Sequence, residues 1–103
     1  MVKELTADSI KEFTKSGKSI IDFWATWCGP CKSLAPIFEE VSKEVTVVNF
    51  GKINIEDHDA VSGEYGIQSI PCLILFEGGE EKGRIIGMQS KDALVEKIKN
   101  IFP

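Results

Sequence analysis

The sequence predicts an α/β domain: one mixed β-sheet with helices on both sides. Three observations carry this prediction. Strand-like and helix-like hydrophobic patterns alternate along the chain in the order β-α-β-α-β-α-β-β-α. The run Ser19-Ile20-Ile21-Asp22-Phe23-Trp24-Ala25 is too apolar for a sheet with one wet face and fits a central strand covered on both. The stretch Trp27-Cys28-Gly29-Pro30-Cys31-Lys32 falls where that strand hands over to a helical pattern from Leu34 to Glu44. Strand-to-helix junctions are the usual place for chemistry in such folds.

The elements follow in order. Val2 to Leu5 is a short strand. Thr6 or Asp8 caps a helix to about Ser16, with Ile10 and Phe13 inward and Gly17 at its end. After the cysteine motif, Leu34, Ile37, Phe38, Val41 and Val45 recur at intervals of three and four, an amphipathic face. Pro36 lies inside this helix, removes one hydrogen bond and predicts a kink. Thr46 to Ile55 is a long strand with Lys52 on the face of Val48 and Phe50. Glu56-Asp57-His58-Asp59 is a turn and an acidic helix start, His58 being a surface residue; the helix stops at Gly66. Ile70-Pro71-Cys72 precedes the buried strand Leu73 to Phe76, and Glu77-Gly78-Gly79-Glu80 signals a tight hairpin. A strand from about Lys82 to Ile86 ends at Gly87. Ser90 then caps a last helix with Leu94, Val95, Ile98 and Ile101 inward.

Composition narrows the function. A chain of 103 residues, 43% apolar and 27% charged, suits a single domain over 1–103 with one real core. Twelve basic against sixteen acidic residues give a net charge of −4, which argues against nucleic-acid binding. No apolar run reaches the ~18 residues of a membrane span. Met1-Val2-Lys3-Glu4-Leu5 lacks the charged-then-apolar profile of a signal peptide. Three cysteines, an odd count, do not make a framework of structural bridges, and a reducing cytoplasm is the expected compartment.

The motif itself points to thiol chemistry. Two cysteines two residues apart on a first helical turn share a face, with Cα atoms roughly 5–6 Å apart, as a disulfide needs. Free N–H groups and the helix dipole stabilise a thiolate there. Cys28 is therefore the expected exposed attacker and Cys31 the more buried resolving thiol. Pro30 is tolerated in the first turn and stiffens it, and Gly29 lets another backbone approach. Half a zinc site is the other reading of CxxC. Zinc wants four ligands, and only Cys72 and His58 remain, so the redox reading is preferred.

From Val2 to Ile101 the chain closely resembles the thioredoxin family. The most specific matches are Asp22 to Lys32, DFWATWCGPCK, and Tyr65 to Pro71, YGIQSIP. The resemblance implies a five-stranded mixed sheet in the order 1-3-2-4-5, its last two strands antiparallel, flanked by four helices. It implies a protein-disulfide reductase, a monomer without bound cofactor or metal, working through a Cys28–Cys31 redox couple. Its partners would be disulfide-containing proteins and a flavin- and NADPH-dependent thioredoxin reductase, with no nucleic acid and no membrane. By the same resemblance Pro71 is a cis-proline facing the dithiol, and Trp27, Gly29, Pro30, Ile70, Pro71 and Gly87 form the rim for an extended substrate.

Asp22, amid Ile20, Ile21, Phe23 and Trp24, is costly to bury ionised, so its pKa should be raised. In the family the matching carboxylate moves the proton of the second cysteine, and Lys52 matches the lysine that pairs near it. A structural ion pair is the alternative. Cys72 departs from the family's usual threonine and is expected beside the site, as an inert buried thiol, a modifiable one or a metal ligand with Cys28 and Cys31. Two rival functions remain, an exported disulfide oxidase or isomerase and a scaffold with incidental thiols.

Overall fold

The computed structural model describes every residue from Met1 to Pro103. Its strands are β1 (Val2–Glu4), β2 (Lys18–Trp24), β3 (Asn49–Asn54), β4 (Cys72–Glu77) and β5 (Glu80–Ile86), in one sheet ordered β1-β3-β2-β4-β5. β3 runs parallel to both β1 and β2, whereas β4 is antiparallel to β2 and β5 to β4. The helices are α1 (Ile10–Thr14), α2 (Gly29–Glu44), α3 (Asp59–Tyr65) and α4 (Lys91–Ile101). The strand order, the antiparallel end and the four helices agree with the expectation.

Alternation along the strands splits the core in two, because neighbouring side chains point to opposite faces. Ile20, Leu73 and Leu75 pack under α2 and α4 with Leu34, Phe38, Val41, Leu94 and Ile98. Ile21, Phe23, Ile74 and Phe76 pack on the other face with Ile10 of α1 and Val61 of α3. β2 is covered on both sides, as its apolar run requires. No helix is long and apolar enough to cross a membrane.

Several boundaries differ from expectation for local reasons. α1 is shorter than Thr6–Ser16. The Thr6 and Ser9 side chains each accept the other's backbone N–H, at 3.2 and 2.9 Å, closing a turn before the helix proper; Asp8 caps nothing. At its other end the Thr14 hydroxyl donates back to the Ile10 carbonyl at 3.1 Å, a bond that competes with continuing the helix. β3 begins at Asn49 rather than Thr46, since residues 46–48 are spent reversing the chain after α2. Val48 is nonetheless buried, so its hydrophobicity reported the core and not a strand. β5 starts at Glu80 because Gly78 and Gly79, at φ 59° and 85°, form a two-residue turn that pairs Glu77 with Glu80 at once. α2 runs from Gly29 to Glu44 with Pro36 inside it. Ser90 caps α4 as expected, its hydroxyl accepting from the Ala93 N–H at 3.2 Å.

Candidate active site

Cys28 is the N-cap of α2, and Gly29 and Pro30 open the helix. The Cys31 N–H, one of the helix's free donors, points at Cys28 Sγ from 3.1 Å. No acidic residue occupies the first turn to oppose it. That is the electrostatic setting in which a cysteine sulfur carries negative charge most easily. Cys28 and Cys31 are joined as a disulfide with Cα atoms 5.2 Å apart. With Ala25 they form a small buried cluster against Trp24, Ile55 and Ile70.

One expectation is corrected here. Cys28 is not an exposed residue: 5% of it is accessible against 2% of Cys31. The order of exposure holds, but the surrounding cluster leaves little of either cysteine open. The large exposed feature is instead Trp27, at 70%.

Across from the dithiol the Ile70–Pro71 peptide bond is cis. The Ile70 carbonyl oxygen lies 3.8 Å from Cys28 Sγ, a distance at which a reduced thiol donates to it. Gly87, at φ 90°, donates its N–H to the Pro71 carbonyl at 2.9 Å, a backbone shape that glycine adopts without strain. Thus Ile70 packs against the dithiol cluster, Pro71 follows it through the cis bond, and Gly87 is tied to Pro71. At Gly29 nothing lies within 4 Å of where a Cβ would sit, so that side is open to an incoming chain.

Asp22 lies on β2 facing α2, 3% exposed, and its Oδ1 has no hydrogen-bond partner. Burial pushes its pKa up to about 7, while the positive charge of Lys52 pulls more weakly the other way. Asp22 and Cys31 line one cavity of about 100 Å³, together with Trp24, Phe38 and Lys52. Lys52 is Asp22's neighbour in the β2–β3 register, yet its ammonium pairs with Glu4 at 3.9 Å and sits 5.7 Å over the Trp24 ring. The ion-pair alternative for Asp22 is therefore not what the structure contains.

Cys72 is buried, in line with the inert alternative, and packs with Val61, Ile74 and Phe76 in a cluster separate from that of Cys28 and Cys31. Burial raises its pKa, only partly countered by the Arg84 guanidinium. No group of three or more His, Cys, Asp or Glu side chains is arranged to hold a metal ion, so the metal reading of Cys72 is set aside. His58 is half-buried at the N-cap of α3, where its side chain makes no capping hydrogen bond.

Sequence reasoning missed Glu56. Its Oε1 accepts from the Thr26 N–H at 2.5 Å and from the Thr26 hydroxyl at 2.6 Å, and the hydroxyl and then the N–H hold its carboxyl below the usual carboxylate range. Thirty residues separate the pair, so no local pattern announces it.

A helix-capping dithiol set against a cis-proline, on a 1-3-2-4-5 sheet, defines a thiol–disulfide oxidoreductase. The thioredoxin family model matches residues 1–100. The chain is 47% identical to thioredoxin of Chlamydia caviae over 98 residues, 95% of this chain and 96% of that one. It is 46% identical to thioredoxin of Rickettsia prowazekii over 101 residues, again 95% and 96%. The crystal structure of Malassezia sympodialis thioredoxin superposes with a TM-score of 0.89 at 30% identity, covering 99% of this chain and 94% of that one. The chain belongs to the thioredoxin family.

It is accordingly a thiol–disulfide oxidoreductase that carries electrons on the Cys28–Cys31 couple rather than on a cofactor. Family membership implies disulfide-containing protein substrates and recycling by a thioredoxin reductase.

Proposed function

We propose that Cys28 is the attacking thiolate, Cys31 the resolving thiol, and Asp22 the proton acceptor for Cys31, with Lys52 tuning that acceptor. In the reduced protein Cys28 Sγ attacks one sulfur of a substrate disulfide. A bond forms between them, and the other substrate sulfur leaves as a thiolate that takes up a proton. Cys31 then passes its proton to the Asp22 carboxylate and attacks Cys28 Sγ. The mixed disulfide breaks, the second substrate sulfur leaves, and two electrons have moved to the substrate while Cys28–Cys31 becomes the disulfide.

The observation carrying this reading is the cavity shared by Asp22 and Cys31, with a carboxyl poised near neutrality on its wall. A volume of about 100 Å³ has room for water between the two groups, by which a proton could be relayed. An acceptor with a pKa near the working pH is the efficient kind. The greater exposure of Cys28 and the N–H aimed at its sulfur favour it as first attacker. Trp27, Gly29, Pro30, Ile70, Pro71 and Gly87 then form the surface along which an extended substrate lies. We further propose that residues 1–103 act as one domain and a monomer in the cytoplasm, without membrane or nucleic-acid partners. A net charge of −4 and the lack of any bridge other than the redox pair support this.

The test is trapping. Cys31→Ser should accumulate a stable mixed disulfide with a protein substrate through Cys28, while Cys28→Ser accumulates little. Comparable trapping by both variants would remove the assignment of roles.

A further inference from the structure

We propose that Glu56 is a positioning residue for protein substrates: it fixes the shoulder that carries Trp27 while touching neither substrate nor the reacting sulfurs. The inference rests on the rim reading above.

Its basis is the geometry of two loops. The segment Ala25–Trp27 joins β2 to α2 and carries the most exposed large side chain near the dithiol. Trp27 is 70% accessible, so packing does little to hold it, and its placement depends on the backbone at Thr26. That backbone is held by Glu56, whose single oxygen Oε1 takes both the N–H and the hydroxyl of Thr26. Hydrogen bonds accepted by an ionised carboxylate are charge-assisted and stronger than those between neutral groups.

Glu56 is itself braced. The Asn54 side-chain oxygen accepts the Glu56 N–H at 2.9 Å, closing an Asx turn at the end of β3. The adjacent Ile55 N–H donates to the Trp24 carbonyl at 2.9 Å, tying the same corner to the last residue of β2. The carboxylate thus projects from a rigid corner onto a loop with few anchors of its own. Such an arm is expected to lower the ordering cost that the rim would otherwise meet on each docking event.

The prediction is a specificity effect, not a general loss. With insulin as the protein disulfide, Glu56→Ala should raise KM by roughly three- to ten-fold, the cost of re-ordering one interface side chain, with kcat within about two-fold. Reduction of a small aromatic disulfide, which needs no rim, should stay within about two-fold of the parent. Glu56→Gln, which keeps an acceptor oxygen at the same reach, should restore most of the KM. An unchanged KM in Glu56→Ala, equal losses on both disulfides, or failure of Glu56→Gln to restore KM each overturns the proposal. Trp27→Ala separates this from the reading beneath it. If Trp27→Ala leaves the insulin KM unchanged, the rim assignment falls; if it raises KM and Glu56→Ala does not, only the Glu56 inference falls.

Discussion

Asp22 and Lys52 are direct neighbours across β2 and β3, yet their charges do not meet. The lysine lies in one cross-strand row between two carboxylates, Glu4 on β1 and Asp22 on β2. Its ammonium goes to the outer one and to the Trp24 ring, where solvent still reaches it. Asp22 is left buried with an unpartnered oxygen, holding its proton to about pH 7. The fold therefore keeps an acid beside Cys31 that changes state in the range where the resolving step must run.

Stability should record this. Folded Asp22 releases its proton at about 7, and the unfolded chain at its ordinary 3.8. Between those values the folded state binds more protons, so stability falls as pH rises from about 4 to about 7 and stays lower above. At about 1.4 kcal/mol per pH unit the full span is roughly 4 kcal/mol. Asp22→Asn, neutral and similar in shape, should stabilise the protein at pH 8 more than at pH 4, by up to that amount. Urea midpoints at the two pH values check it. Loss of stability at pH 8 would mean that attraction to Lys52 outweighs burial.

The same change should slow release of the mixed disulfide near neutrality, because Cys31 loses its acceptor. Single-turnover kinetics at pH 7 read this directly. Normal release from a stabilised variant would make Asp22 a buried cost with no part in the proton transfer.

Lys52→Met removes the charge that pulls the Asp22 pKa down. The pH midpoint of the resolving step should therefore move upward, with little change in its plateau rate. A rate profile between pH 5 and pH 9 measures it, and a downward or absent shift would count against coupling between the two residues.

For Cys72, packed in a different apolar cluster from the dithiol, Cys72→Thr should leave disulfide-reductase turnover within a few-fold of the parent. In the oxidised protein the Cys72 thiol should resist iodoacetamide until the chain unfolds, since burial raises its pKa and blocks access. A ten-fold loss of turnover, or rapid alkylation in the folded state, would show a working third thiol.

Two glycines should respond in opposite directions. A Cβ at Gly51 would lie 2.7 Å from Leu5 Cδ1 and 3.0 Å from the Phe13 ring, so Gly51→Ala should destabilise by about 1–3 kcal/mol. Gly63, inside α3 with open space around it, should gain roughly 0.5–1 kcal/mol as alanine. Thermal unfolding distinguishes the two.

What the sequence determined by itself was local. Periods of two and 3.6 marked the strands and helices, Gly78-Gly79 set the hairpin, Ser90 capped α4, and the CxxC spacing put two sulfurs on one helical turn. Those signals act over a few residues, and so they survive without the rest of the fold. The burial of Asp22 was legible too, because Ile20, Ile21, Phe23 and Trp24 beside it are all apolar. The pairing order of the strands followed from resemblance and not from pattern.

Tertiary structure alone decided the partners. Lys52 faces a choice between Glu4 and Asp22 that exists only once β1, β3 and β2 are in register. Alternation put Cys72 and Leu73 on opposite faces, but which face α2 would cover depended on how the chain crossed the sheet. Cys28 lost most of its exposure to Ala25, Trp24, Ile55 and Ile70, residues brought together from three separate stretches of chain. Glu56 met Thr26 only because the parallel neighbours β2 and β3 finish at the same end of the sheet, which places side by side two loops that share no local sequence signal.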